Sequence, residues 1–427
     1  FLGHDGEHGG WPVNRRNNKD VFRYKNNDFG QYKSYHVFGR YTDFFGAYYH
    51  DEDFGMGRYS THDDKPGKKI WIWGLSRQGM IWEQLLTDSD GQYVEVQSGR
   101  LFNQTVDGST FTPFKHRGFA PGSADTWTEY WFPIKGTKGL VHASLYGALN
   151  LKQEGGKLKI AFCPLQPTRD RLEVRDGDEM IYSKQLTLQP MEVFEDSLEI
   201  KSVPKTLKAA LGGHKLSYDS DPKATELSRP LDSPPKFDWN GVYGLYLQGK
   251  EHIRGRRYPA AQAKLEECLK KDPHFLPALS EMALLMYRFM DYAKADEYAA
   301  KALSIDTYDP AANFARGLAC QELGRMADAR DGLDIAAASI AYRSAAYSEL
   351  TDLYMREKDY DRADHYARKA LDYNRFNLNA LEVQAIAARL RNQREQAASV
   401  LDKMLAIDPL NHFALFEKHL AGKLSVE

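Results

Sequence analysis

The sequence is short of cysteine, of long apolar runs, of net charge and of nucleotide-type glycine motifs, and each shortage removes a class of protein. Three cysteines in 427 residues (Cys163, Cys268 and Cys320) are too few and too scattered for a disulfide framework or a zinc cluster. Lys and Arg total 57 against 59 for Asp and Glu, a formal charge of −2 that leaves no electrostatic footprint for nucleic acid or an anionic membrane. No apolar run reaches the ~20 residues of a membrane-crossing helix. Positions 1–150 contain no Walker or Rossmann glycine pattern and no serine nucleophile elbow. No nucleic acid, membrane span or nucleotide cofactor is therefore expected.

Aromatic residues, by contrast, crowd one end. Of 53 Phe, Trp and Tyr, 28 lie in positions 1–150, together with six of the seven Trp and seven of the 13 His. Such a segment makes either a wide aromatic core or a surface that stacks on flat or ring-shaped ligands. The chain opens on Phe1 rather than Met, which reads as a processed chain or a fragment.

The C-terminal part carries an internal period of 34 residues. Ala261, Ala295, Ala329, Ala363 and Ala397 form one column, and Ala278, Ala312, Ala346, Ala380 and Ala414 a second. Tyr258, Tyr292, Met326, Tyr360 and Arg394 fall in the same register, as do Leu269, Leu303, Ala337, Leu371 and Leu405. Alanine recurs where two helices cross too closely for a larger side chain, and the Asp272-Pro273 and Asp408-Pro409 pairs end helices. A 34-residue unit of this kind resembles the tetratricopeptide repeat, a helix pair. It predicts five units at about 242–275, 276–309, 310–343, 344–377 and 378–411, with a closing helix after them. The array makes a groove that holds a protein partner, or it serves as a purely architectural spacer. Cys268 and Cys320 fall on its helices at small-residue positions, as buried and inert thiols.

Positions 30–220 read as strands broken by Gly, Asp, Asn and Pro clusters. Residues 69–74 send Trp71 and Trp73 to one face and Ile70 and Ile72 to the other. Residues 93–97 put Tyr93, Glu95 and Gln97 opposite the valines, and residues 125–132 group Trp127, Glu129 and Trp131. A sheet with one aliphatic face and one face of Trp, Tyr, Glu and Gln has a core side and a ligand-like side. Sugars suit the second, since their C–H faces stack on indoles and their hydroxyls need carboxylates and amides. Residues 149–217 read as a small Ig-like β-sandwich, and the Pro-rich stretch 218–241 as a linker.

The series Phe44 to Asp53, Pro66 to Gly74, Trp82, Leu85 to Gly91, Tyr93 to Arg100 and Trp127 to Pro133 resembles a bacterial family of unassigned function. In that family a galactose-mutarotase-like β-supersandwich precedes tetratricopeptide repeats. The resemblance implies a multidomain β + α chain: the C-terminal part of a supersandwich at 1–148, the sandwich, the linker, and the repeats at 242–427. It implies a carbohydrate ligand, and a periplasmic or extracellular location. Because a whole supersandwich needs more strands than positions 1–148 supply, the missing N-terminal strands are expected from a longer precursor or a separate chain.

Acid/base chemistry at an anomeric centre needs a carboxylate and a partner, and a mutarotase-type site pairs Glu with His. Glu95 is the candidate carboxylate, with His50 or His62 as partner, in a glycoside hydrolase or an aldose-epimerase-like enzyme. Trp71, Trp73, Tyr93, Gln97, Arg100, Glu129, Trp127 and His8 are the candidate substrate contacts. The alternative is a non-catalytic, glycan-recognising scaffold whose repeats bind a partner protein. Asp51-Glu52-Asp53 and Asp88-Ser89-Asp90-Gly91 are acidic enough for Ca²⁺, yet neither has the spacing of a loop site, so no cofactor is expected.

Overall fold

The computed structural model of the chain describes residues 13–14, 18–27, 33–36, 40–73, 77–86, 93–100, 118–200, 202–228 and 234–421. Contacts divide it into two compact units: Phe1–Arg117 with Thr126–Ser233, and Gly118–Asp125 with Pro234–Glu427.

The first unit begins with a two-stranded ribbon, β1 (Val13–Asn14) and β2 (Lys19–Asp20), followed by β3 (Lys33–His36), β4 (Phe44–Tyr49), β5 (Phe54–Tyr59) and β6 (Gly67–Ile72). Helix α1 (Arg77–Leu85) precedes β7 (Val94–Gly99) and β8 (Tyr130–Lys135). These strands form two antiparallel three-stranded sheets, β3-β6-β7 and β4-β5-β8. Period-2 alternation holds where it was expected: Ile70 and Ile72 are buried with Val21 and Phe45, backed by Val94 and Val96. Gly57 lets β5 pair closely with β8, because a Cβ there would run into the Phe132 ring.

Two expectations are corrected. The stretch read as continuous strand contains α1, where Gln, Met, Glu and Leu are good helix formers. Trp127 and Glu129 lie ahead of β8 rather than on it. The second face of β6 is also less open than its polarity suggests: Lys69 is buried, and Trp71 and Trp73 are half-buried.

Strands β9 (His142–Ser144), β10 (Gly147–Glu154), β11 (Lys157–Pro164), β12 (Thr168–Asp176), β13 (Glu179–Leu188), β14 (Phe194–Glu199), β15 (Leu207–Leu211) and β16 (Leu216–Asp219) complete this unit. They pair as β14-β11-β10-β9 and β13-β12-β15-β16. Leu149, Leu158, Ile160, Phe162, Leu172, Val174, Leu211 and Leu216 form the core of these two sheets. A second cluster joins Phe132 and Ile134 of β8 to Ala143, Ala148 and Cys163, so apolar packing runs on from the front sheets into these strands.

The second unit is helical: α2 (Val242–Arg254), α3 (Tyr258–Lys271), α4 (Leu276–Arg288), α5 (Tyr292–Leu303), α6 (Pro310–Glu322), α7 (Met326–Ala336), α8 (Arg343–Arg356), α9 (Tyr360–Tyr373), α10 (Leu378–Leu390), α11 (Arg394–Ile407) and α12 (His412–Leu420). The period explains the boundaries. Tyr258, Tyr292, Met326, Tyr360 and Arg394 each open the second helix of a pair. The turn just before each carries a left-handed residue, Arg256, Met290, Gly324, Lys358 and Asn392 in order. Asp291, Asp309, Asp359, Asn377 and Asn411 cap helices through their side chains.

Ala261, Ala295, Ala329 and Ala363 have no exposed surface, nor does any member of the second alanine column. Ala397, in the last pair, is half-buried. The segment Gly118–Asp125 packs on this unit: Asn374 Nδ2 donates to the Gly122 carbonyl at 2.9 Å. A Cβ on Gly122, whose φ is +62°, would meet the Ala345 nitrogen at 2.9 Å.

Overpacking a closed helix crossing costs about 1–3 kcal/mol. Ala363→Leu is expected to lower the stability of the helical unit by that amount in thermal or chemical unfolding. Ala397→Leu, at the half-buried equivalent position, is expected to lower it by clearly less.

Candidate functional site

Glu129 stands where the two front sheets meet. Arg58 of β5 donates from Nε to its Oε2 at 3.0 Å, and the Arg58 Nη2 also ion-pairs with it. Ser98 of β7 donates to Oε1 at 3.3 Å, and Trp127 Nε1 at 2.7 Å. Pairing places Arg58 opposite Trp131 on β8 and Lys68 opposite Ser98 on β7, so backbone register alone brings these side chains together. The Arg58 guanidinium lies 4.9 Å from the Trp131 ring centre, and Lys65 Nζ lies 3.6 Å from that of Trp127.

The electrostatics follow from burial. Arg58 is 4% exposed and Lys68 2%. Burial would raise the Glu129 carboxyl, but the hydrogen bonds from Arg58 and Trp127 outweigh it and hold the group below its ordinary range. Burial pushes the Lys68 ammonium down to about 8, with Arg58 adding to the fall and Asp43 opposing it. His62, also buried, is lowered by burial first and by Lys68 second. A carboxylate kept ionised by its donors is a hydrogen-bond acceptor and a poor proton donor, so the node is built to bind rather than to protonate.

The other expected residues lie as follows. Glu95 sits opposite Trp71 in the β6–β7 pairing and accepts from Gln97 Nε2, with Tyr93 also bonded to it and Lys69 beside it. Trp73 touches both Trp71 and Trp82, at ring separations of 5.8 and 5.3 Å, so α1 contributes to this aromatic face. His50 is exposed and contacts Arg23 at 3.1 Å. The His62 ring lies 4.4 Å from Tyr41, and its backbone N–H donates to Asp43. No hydrogen bond, ion pair or ring contact among the described residues joins Glu95 to either histidine.

Arg100 reaches the Asp63 and Asp64 carbonyls at 3.4 Å rather than Glu95. His8 and the Asp88–Gly91 cluster lie outside the described residues. Asp53 is taken up by Tyr48, at 2.6 Å, and Lys138. Among the described residues no group of three His, Cys, Asp or Glu is placed to hold a metal.

Arg58, Lys65, Lys68 and Ser98 were missed from sequence. The hint in the sequence was a lone arginine between Gly57 and Tyr59 and a lysine run around Pro66-Gly67.

The helical unit has its own electrostatic feature. Glu349 and Asp352 lie three residues apart on α8, hence on one face, and both are half-buried. Burial, then Asp352, pushes the Glu349 carboxyl up to about 7. Asp352 is raised by burial, with Arg356 opposing, and Glu382 of α10 by burial and Asp352. Glu322 of α6 also acts on Glu349, and Tyr287 of α4 is raised by burial and then by Glu349 and Glu322. Neighbouring first helices of the pairs thus share one acidic field. None of Glu322, Glu349, Asp352 and Glu382 has an ion pair within 4.0 Å among the described residues.

Residues 1–134 match the model of a domain of unknown function (DUF5107). Solved structures similar to the helical part include PilF of Pseudomonas aeruginosa, at 20% identity over 43% of this chain and 85% of that one, with a TM-score of 0.39. PilW, described as a widely conserved type IV pilus biogenesis factor, matches at 22% identity over 43% and 86%, TM-score 0.39. YrrB, described as a tetratricopeptide-repeat protein with an unusual peptide-binding site, matches at 17% identity over 43% and 94%, TM-score 0.37.

Removing one partner of a buried ion pair strands the other charge, typically at about 3–5 kcal/mol. Glu129→Gln is expected to destabilise the β unit by roughly 3 kcal/mol in chemical denaturation. The double variant Glu129→Gln with Arg58→Met is expected to recover part of that loss, which a role for Glu129 in packing alone would not allow.

Proposed function

We propose that the chain is a binding scaffold whose helical repeats take a protein partner through a cationic segment, while the β unit recognises glycan. The observation that carries this reading is the set of carboxylates on the first helices of the repeat pairs, above all the half-buried Glu349 and Asp352, which have no ion pair among the described residues. A protein that needed only a spacer there would gain by replacing them with neutral residues. Lysine or arginine side chains of a bound segment supply the missing charge, and salt weakens such binding.

The glycan half is supported by Trp127 and Trp131, each about half exposed (49% and 55%), beside an ionised Glu129. Recognition is favoured over turnover because Glu95 makes no contact with His50 or His62. The finer fold reading, a portion of a galactose-mutarotase-like supersandwich, belongs to this proposal and is supported by the resemblance set out under the sequence. A location in the periplasm or outside the cell belongs to it too.

The test is binding of the full chain to peptides of equal length and varied charge. Lys/Arg-rich peptides should bind at least tenfold tighter than neutral or acidic ones. The advantage should shrink in high salt and in the double variant Glu349→Gln, Asp352→Asn. Equal binding across charges, or binding untouched by the variant, counts against the reading.

The same carboxyl sets a pH dependence. Its folded-state value of about 7 lies above the ordinary 4.5, so the folded state holds the proton more tightly. Stability therefore falls as pH rises from about 4.5 through 7. Glu349→Gln should match the parent near pH 4 and exceed it by roughly 1–3 kcal/mol at pH 8, as read by denaturant titrations at the two pH values.

A further inference from the structure

We propose that the cluster of Arg58, Lys68, Glu129 and the indoles of Trp127 and Trp131 takes the carboxylate of an acidic saccharide. The inference rests on the glycan half of the reading above and adds the chemical class of the sugar.

The argument starts from unfilled donors. Arg58 spends Nε and Nη2 on Glu129, and its Nη1 is buried with no hydrogen-bond partner. Lys68 Nζ has three protons to donate and one acceptor, the Lys65 carbonyl at 2.9 Å. The two cations are close enough for their charges to interact, and among the described residues Glu129 is the one carboxylate that bonds to either. Asp43, the other acid within electrostatic reach of Lys68, already accepts the His62 backbone N–H at 2.8 Å. A fixed guanidinium N–H beside a buried ammonium is the complement of an incoming carboxylate, and donors left unmet in a dry site are costly until one arrives.

The ring component follows from the two indoles. Cations cover one side of each, and about half of each side chain remains exposed. A bare inorganic anion would use the cations and leave the indoles idle. A sugar acid uses both, stacking its C–H face on Trp131 while its carboxylate meets the cations.

The experiment is calorimetric titration of the full chain with three probes: a hexuronate oligosaccharide, the same oligosaccharide with its carboxyls reduced to alcohols, and inorganic phosphate. The uronate should bind at least tenfold tighter than its reduced form. Lys68→Met and Trp131→Ala should each weaken uronate binding tenfold or more while a thermal melt shows the fold retained. Trp131 lies half exposed, so its variant remains informative even if the Lys68 variant unfolds.

Equal affinity for the acid and reduced sugars would overturn the inference and leave glycan recognition standing. Binding of neither sugar would overturn both. Phosphate matching the uronate would overturn the saccharide assignment, as would uronate affinity unchanged in both variants.

Discussion

Charge taken out of water without an equal opposite charge is the constraint on which both candidate surfaces depend. In the β unit the buried cations Arg58 and Lys68 lie in the field of one carboxylate, Glu129, which bonds only the first of them, and donors remain over. In the helical unit the half-buried carboxylates of Glu349, Asp352 and Glu382 and the exposed one of Glu322 act on one another, without an ion pair among the described residues. Stability alone does not favour either arrangement, because well-packed apolar residues of the same volume do at least as well as buried ions. Fold architecture makes both tolerable: strand pairing pins Arg58 beside Trp131, and helix periodicity pins Glu349 beside Asp352.

The helical unit was legible in sequence because its constraint is steric and repeats. An alanine that cannot grow without forcing two helices apart leaves a column at every 34th residue, and so do the residues that open each second helix, tyrosine in three of the five. The interruption at Ala397, half-buried rather than closed, falls in α11, the last helix before α12. The left-handed turns were hidden. Arg256, Met290, Lys358 and Asn392 occupy the same φ region as Gly324 and share no side-chain chemistry that would mark it.

The β unit was legible only in outline. Alternation told apart the faces of β6 and β7, and it correctly paired Ile70 with Ile72 and Trp71 with Trp73. It said nothing of what covers the polar face, since α1 is a short segment whose propensity is no stronger than that of many strands. The Glu129 site was half visible. Aromatic neighbours flagged Trp127 and Glu129, but the cations that define the site come from two other strands, and lysines in a sequence look solvated until packing buries them. Pairing across 71 residues, as between Arg58 and Glu129, has no signature in local pattern.

That difference in visibility bears on catalysis against binding. An acid/base reading from sequence asks for a carboxylate able to exchange protons near neutral pH, and it settled on Glu95 for its neighbours on the strand. Geometry gives the densest constellation to Glu129 instead, whose donors hold it ionised. An acceptor of that kind fixes a ligand's hydroxyls in place and takes no proton from solvent between binding events. The carboxyl whose titration does fall near neutrality is Glu349, on a helix face with no nucleophile or histidine acting on it in the field described above. Proton exchange there changes the charge of the helix face and breaks no bond. In each unit, then, the perturbed groups owe their shifts to charge withdrawn from water without a full counterpart.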